Sequence, residues 1–371
     1  ITMKYYVIAG EASGDLHASN LIRAIKTIDA QAKFRVWGGD LMQAQGAVLV
    51  KHYRDLAFMG FIEVARNIST ILNNLKLAKN DILKYQPDAL ILVDYPGFNL
   101  RIARFAHRHG LRVFYYISPQ VWAWKQSRVY TIRKVVNKML VILPFEKAFY
   151  QNFGMSVAFV GHPLLDALSD FSRDENFCQR NQICNKPIIA LLPGSRKQEI
   201  RKKLPVMLQL KTHFPDYQFV IAAAPSIDLS FYKKFPGCDE TKILTGQTYQ
   251  LLAHSHAALV TSGTATLETA LFDVPQVVCY KANPLSYQIA RRLVKVEYIS
   301  LVNLIMGRQV VKELIQHELE PERLRNELST ILSGPGRAAV LEGYQQLREK
   351  LGGKGASGRA AKEIVDDLLN A

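Results

Sequence analysis

The feature that most restricts this chain is a repeated grammar. Short runs that are apolar at every position alternate with helix-length amphipathic stretches, and each run closes on a Gly- or Pro-bearing turn. A strand with no polar face has to be covered on both sides, so these runs predict parallel sheets layered between helices. In the first half they fall at 5–9, 34–37, 89–93, 113–117 and 139–143, and the pattern restarts at 188–192, 218–222, 257–260 and 276–279. Two doubly wound α/β units in tandem are the simplest reading. The 371 residues agree with it, because a single core stops growing at roughly 250–300 residues. The expected division is a domain at 1–165, a polar linker across 166–187, a second domain at 186–310 and C-terminal helices over 311–371. Within that last part, helices are expected at 309–317 and 321–332, followed by an amphipathic stretch broken by Gly352, Gly353, Gly355 and Gly358.

Composition narrows the partners. With 49% apolar and 21% charged residues the chain is neither disordered nor fibrous. Its formal net charge is +15, and the excess is uneven: residues 1–160 carry 21 basic and 10 acidic side chains, residues 161–371 carry 26 and 22. The basic surface therefore belongs mainly to the first half, where nucleic acid, an anionic membrane or a phosphorylated substrate would each suit it. Cys178, Cys184, Cys238 and Cys279 match neither a zinc pattern nor a disulfide framework. No apolar run approaches the ~18 residues of a membrane span, and no basic-then-apolar leader opens the sequence, so a cytosolic setting is expected.

Five strand ends carry residues with chemical potential. Gly10-Glu11-Ala12-Ser13-Gly14-Asp15 is a small-residue turn between a strand and a helix; it suits an anion near the helix amides, or simply a helix capped by Ser13 or Asp15. Asp94 follows an apolar strand and precedes Pro96-Gly97. It can serve as a general base on a hydroxyl, or bond the free amides of its own turn. Ser118 to Lys125 packs Trp122 and Trp124 beside a cation, which fits a sugar, a base, a lipid interface or a core. Arg196 opens a helix after Pro193-Gly194-Ser195, where a cation opposes the helix dipole unless an anion receives it, so a phosphate ligand is favoured. Ser262-Gly263-Thr264 leads to Glu268 on the same helical face as Thr264; a diphosphate in the loop with a ribose on the carboxylate would fit, as would an N-capped helix with a solvated glutamate.

The stretch 58–83 places Phe61, Val64, Ile68, Ile71, Leu72 and Leu75 at helical spacing with basic residues nearby. Such a stripe is either core or a surface that lies on an anionic bilayer. The histidine pairs His107/His109 and His254/His256 diverge on helices and support no metal site.

Taken together, these residues resemble the lipid A disaccharide synthases. The resemblance is carried in order by Gly10-Glu11-Ala12-Ser13-Gly14-Asp15, Met59-Gly60-Phe61-Ile62-Glu63, Asp94-Tyr95-Pro96-Gly97-Phe98-Asn99, Ser118-Pro119-Gln120-Val121-Trp122-Ala123-Trp124, Gly161-His162-Pro163, Leu192-Pro193-Gly194-Ser195-Arg196 and Ser262-Gly263-Thr264-Ala265-Thr266-Leu267-Glu268. It implies a GT-B fold, two Rossmann-like domains facing a central cleft, with acceptor on the first and donor on the second. It also implies inverting transfer from UDP-2,3-diacylglucosamine to 2,3-diacylglucosamine 1-phosphate, giving a β-1,6 disaccharide and UDP, without metal or cofactor. Asp94 would be the general base, with Glu11 beside it. Ser13, Gly14, Met59 and Glu63 would line the acceptor side, and Arg196, Ser262, Gly263, Thr264, Glu268 and Asn303 would hold the UDP-sugar. Phe61, Val64, Ile68, Ile71, Leu72 and Leu75 would touch the membrane, placing the protein peripherally on the inner face of an inner membrane; a homodimer is compatible with this.

Two rivals keep the same observations in play. Another UDP-sugar protein of this fold, a peptidoglycan N-acetylglucosaminyltransferase or a non-hydrolysing 2-epimerase, would share the strand-end loops. A basic nucleic-acid-binding module would need cations interleaved with aromatics along one face, and the basic residues here are dispersed.

Overall fold

The structure, a computed structural model, describes residues 2–56, 68–123, 125–183, 185–293 and 296–370. It divides into two compact units. The first comprises residues 1–171 and 351–371, the second residues 172–350.

The first unit is built on a parallel sheet of β1 (Lys4–Ala9), β2 (Lys33–Gly38), β3 (Val48–His52), β4 (Ala89–Val93), β5 (Arg112–Tyr116), β6 (Lys138–Val141) and β7 (Ala158–Phe159). The strand order is β3-β2-β1-β4-β5-β6-β7. The second unit carries β8 (Ile188–Leu192), β9 (Gln218–Ala223), β10 (Lys242–Thr245), β11 (Ser255–Thr261), β12 (Gln276–Tyr280) and β13 (Lys312–Ile315), ordered β10-β9-β8-β11-β12-β13. The central strands are buried along their length, as in Ala89–Val93 and Ile188–Leu192, which is why their sequences are uniformly apolar. In each sheet the order reverses at one place, between β1 and β4 and between β8 and β11. The doubly wound expectation is met twice.

The region expected as a separate set of C-terminal helices is shared between the units. Residues 312–315, expected within a helix at 309–317, instead form an edge strand paired with β12 from Val277↔Lys312 to Tyr280↔Ile315. Helices Pro321–Leu332 and Gly334–Lys350 remain with the second unit, whereas helix Ala356–Leu369 returns to the first and packs on helix Ala12–Ile28. Specific bonds hold it there. The Asp166 carboxylate accepts the amides of Gly355 at 2.6 Å and Ser357 at 2.8 Å, and Arg359 Nε donates to the Val160 carbonyl at 2.7 Å. Ion pairs Arg112–Asp367 and Lys138–Glu363 add to the seam. Gly161 has φ +89°, and a Cβ there would strike the Arg359 guanidinium. His162 next to it is buried, its Nδ1 accepting the Leu164 amide at 3.1 Å, and burial together with the nearby His17 pulls its pKa down to about 3. The Gly161-His162-Pro163 motif thus closes this seam.

Helix Ile68–Tyr85 settles the phase of its apolar stripe. Leu75, Ala78 and Ile82 are buried, and Ile71 packs against the same core. Leu75 and Ile71 therefore face the sheet rather than a membrane, which corrects the expectation for both. Ile68 and Leu72 are exposed, as is Leu83. Phe61 and Val64 lie outside the described residues. The inner face is fixed by Asp81, whose carboxylate takes Arg35 Nε and Nη2 at 2.7 Å each and Tyr6 Oη at 2.7 Å; Tyr6 Oη in turn accepts Trp37 Nε1 at 2.8 Å. Truncating Leu75 to Ala should cost about 2–4 kcal/mol of unfolding free energy in a urea titration, and Leu72→Ala less than about 0.5 kcal/mol. Equal losses would contradict this phase.

Candidate active site

In the second unit the loops after β8 and β11 diverge at the strand-order reversal, the place where open α/β sheets bind ligands. A cavity of about 470 Å³ lies there, lined by Gly194, Ser195, Arg196, Glu199, Thr248, Thr261, Ser262, Gly263, Thr264 and Glu268 among others. That volume is within the usual small-molecule range of roughly 300–1,000 Å³. Two glycines shape it: Gly194 at φ +128° and Gly263 at φ +121° adopt backbone that other residues take only under strain. A Cβ on Gly194 would also strike the Glu199 side chain. Glu199 Oε2 accepts the Ser195 amide at 3.2 Å and so holds the first loop in place.

Helices Lys197–Gln209 and Thr264–Leu271 both begin at the cavity, and neither has a side chain capping its N-terminus. Their first amides are therefore available to an anion, and exposed Arg196, at the N-cap of the first, adds a full positive charge. Glu268 closes the other end. Tyr249 Oη donates to its Oε1 at 3.4 Å, and burial pushes the carboxyl up to about 7. A cation-and-amide end joined to a carboxylate end suits an anion linked to a hydroxyl-bearing group.

The first unit presents a different chemistry at its own reversal. Asp94, Tyr95 and Ile117, at the ends of β4 and β5, have φ of +45°, +49° and +64°. Each such conformation costs roughly 1–3 kcal/mol and persists only where its surroundings impose it. Here the Asp94 amide donates to Tyr116 O at 3.1 Å, and the Asp94 carbonyl accepts Tyr115 Oη at 2.6 Å and Asn99 Nδ2 at 2.8 Å. The Tyr95 ring lies against Gly10, where any Cβ would collide with it, so the first turn and the Asp94 turn are built together. With its backbone clamped, the Asp94 side chain is half-buried near exposed Glu11. Burial first, and the Glu11 charge second, push its pKa up to about 6, against a smaller opposing bond from the Tyr95 backbone.

The other expected residues divide. Arg196, Ser262, Gly263, Thr264 and Glu268 share the cavity. Glu11 occupies the N-cap position of helix Ala12–Ile28 near Asp94 without a side-chain bond to the helix; Ser13 is exposed in its first turn, and Gly14 lets the helix pass β1, since a Cβ would lie 3.1 Å from that of Ala9. Met59, Glu63 and Trp124 lie outside the described residues. Asn303 is not among the cavity residues: it is fully buried, its Nδ2 donates to Val311 O at 2.8 Å, and its Oδ1 accepts the amides of Val310 and Val311 at 2.8 and 3.1 Å. Its amide is spent on the turn into β13. Asp15 does not cap its own helix; it accepts the amides of Gly39, Leu41 and Met42 at 2.9–3.1 Å, and so starts helix Asp40–Ala44. Trp122 is core, edge-on to Phe145, with its N–H on buried Glu146 at 3.3 Å. Glu199, Thr248 and Tyr249 were not singled out from sequence. Glu199 had a signal, a carboxylate at the third helical position reaching back past the N-cap. Among the described residues no group of three or more His, Cys, Asp or Glu side chains could hold a metal ion.

The profile of the family described as Lipid-A-disaccharide synthetase matches residues 5–365. The chain is 43% identical over 367 residues to the lipid-A-disaccharide synthase of Syntrophus aciditrophicus, covering 96% of this chain and 95% of that protein. It is 40% identical over 370 residues to the Myxococcus xanthus protein of the same name, with 98% and 97% covered. The Coxiella burnetii protein of that name is 36% identical over 369 residues, with 98% of each covered. Among solved structures, the Staphylococcus aureus MnaA–UDP co-structure superposes with TM-score 0.70 at 12% identity, covering 100% of this chain and 98% of that one. The Methanocaldococcus jannaschii UDP-GlcNAc 2-epimerase in complex with UDP-GlcNAc and UDP gives 0.67 at 14%, with both chains covered in full. The glycotransferase of kitacinnamycin also gives 0.67 at 14%, covering 99% of this chain and 100% of that one. At such identities these three share the GT-B fold.

The raised pKa of Asp94 has a signed consequence for stability. Its folded value of about 6 lies above the ordinary 3.8, so the fold favours the protonated acid, and that contribution is lost as pH rises through 6. Asp94→Asn keeps the shape and tolerates the left-handed backbone. It should match the parent below pH 4 and be more stable by about 3 kcal/mol above pH 6, measured by denaturant titration across that window. A variant less stable than the parent at pH 7 would contradict the assigned burial.

Proposed function

Because the chain belongs to the lipid-A-disaccharide synthetase family, we propose that it joins UDP-2,3-diacylglucosamine to 2,3-diacylglucosamine 1-phosphate, forming a β-1,6 disaccharide and releasing UDP. It is a glycosyltransferase of lipid A disaccharide synthesis. The observation that carries the assignment of roles is the β8/β11 cavity, with two uncapped helix N-termini, Arg196 at one end and Glu268 at the other.

The diphosphate of the donor is assigned to the amides after Gly263 and to Arg196, and the ribose hydroxyls to Glu268. Asp94 takes the proton from the acceptor 6-hydroxyl. The freed oxygen pair forms the bond to the anomeric carbon on the face opposite the diphosphate, and the bond from that carbon to the diphosphate oxygen breaks with UDP carrying away the electrons. Inversion follows from a single displacement. The base belongs to the first unit and the charge stabilisation to the second, so each can be removed without the other. Burial, with the Glu11 charge adding to it, makes Asp94 a stronger base than an ordinary aspartate, because a conjugate acid near pKa 6 holds a proton better than one near 3.8.

Both substrates are acylated, and an interface has to be reached. No helix among the described residues is long and apolar enough to cross a membrane. The outer face of helix Ile68–Tyr85 carries exposed Ile68, Leu72 and Leu83 with Lys76 between them, and the first half holds most of the excess positive charge. This face is the surface assigned to an anionic bilayer.

Asp94→Asn should lower transfer by about 10²–10⁴-fold while UDP affinity is unchanged by calorimetry; a parallel loss of UDP binding would contradict the division of roles. Arg196→Ala should reverse the pattern, weakening UDP about tenfold or more, and an unaltered UDP titration would count against its role. Charging the outer helix face, with Ile68→Asp and Leu72→Asp together, should release the protein from vesicles containing anionic lipid and leave UDP binding intact. Retained vesicle binding would reassign the membrane surface.

A further inference from the structure

A cation lies behind the cavity that the roles above do not use. Lys203, on helix Lys197–Gln209, is 2% exposed, and its ammonium donates to Thr261 Oγ1. Thr261 ends β11, lies in register with Cys279 of β12, and lines the cavity. An ammonium has three N–H donors, and among the described residues Thr261 is its one hydrogen-bond acceptor, with no carboxylate within ion-pair distance. Cys279 is no counter-ion: burial pushes its thiol up to about 12 and keeps it neutral. Glu199 favours the charged lysine from a distance, but burial is the larger effect and lowers the lysine pKa.

A buried charge with one neutral acceptor destabilises the protein that holds it. Thr261 gives that cost a direction. A hydroxyl has one proton to donate and two lone pairs. With a lone pair taken by Lys203, the Thr261 proton is left to donate, and Thr261 lines the cavity. We propose that Lys203 is a positioning residue for the donor diphosphate, turning the Thr261 hydroxyl proton toward the anion and setting a buried positive charge behind it. This rests on the assignment of the UDP moiety to the cavity. Arg196 then meets the diphosphate from the exposed loop and Lys203 from beneath, and the bound anion offsets the desolvation of the lysine.

Lys203→Met keeps the length and removes the charge. Calorimetric titration with UDP and with uridine, together with the melting temperature of the ligand-free protein, tests the proposal. UDP should bind about tenfold more weakly, uridine with unchanged affinity, and the ligand-free melting temperature should not fall. Thr261→Val should weaken UDP by a similar factor, and adding it to Lys203→Met should weaken UDP little further, since the lysine acts through that hydroxyl. Unchanged UDP affinity in Lys203→Met overturns the proposal. Equal weakening of UDP and uridine with a lower melting temperature also overturns it, by showing a packing role. If the unaltered protein binds UDP but Arg196→Ala and Lys203→Met both leave that binding intact, the cavity assignment itself fails; if only Lys203→Met is silent, the cavity stands and this inference falls.

Discussion

The chemistry of this protein depends on the reversal of strand order in each of its two parallel sheets. The central strands must be covered on both faces, so successive crossovers run to one side of the starting strand and then to the other. At the reversal, two neighbouring strands send their following loops apart, and a gap opens that no helix fills. Asp94 and Glu11 stand at the β1/β4 reversal, and the cavity lined by Arg196 and Glu268 stands at β8/β11. The sharp turns needed there explain the local backbone: Gly194 and Gly263 in the second unit, and the strained pair Asp94 and Tyr95 in the first.

The two reversals hold titratable groups under tension. Asp94, Glu268 and Lys203 are each shifted toward the neutral form, and burial is the first cause in all three. Around them, polar side chains hold the turns and helix ends in place. Asn99 clamps the Asp94 turn, Asp15 starts helix Asp40–Ala44, Asp166 receives the returning C-terminal helix, and Asn303 closes the turn before β13. Each of these four side chains is spent on local structure, whereas Asp94, Glu268 and Lys203 are not.

How much of this was legible in the sequence follows from the same distinction. The strands read correctly were the interior ones, where both faces are apolar. The four that were not read, β3, β7, β10 and β13, are the edges of the two sheets. An edge strand has one neighbour and an exposed flank, so it can be short or mixed: β7 has two residues, and Lys312-Glu313-Leu314-Ile315 reads equally well as a helical turn. The placement of candidate site residues was legible where a strand, a small-residue loop and a helix follow directly, as at Asp94, Arg196 and Ser262 to Glu268. They were not legible where a partner comes from afar. Asp15 bonds amides more than twenty residues on, Asn303 looked like a donor contact and is a turn clamp, and Lys203 reads as one more surface cation in a run of three. The stripe on helix Ile68–Tyr85 had the right period, but periodicity does not say which face meets the sheet.

If the β8/β11 reversal is the nucleotide site, a crystal structure of the protein with UDP should show the diphosphate against the amides after Gly263 with Arg196 on its outer side, and the ribose hydroxyls on the Glu268 carboxylate. Density for UDP in the first unit, beside Asp94, would contradict it.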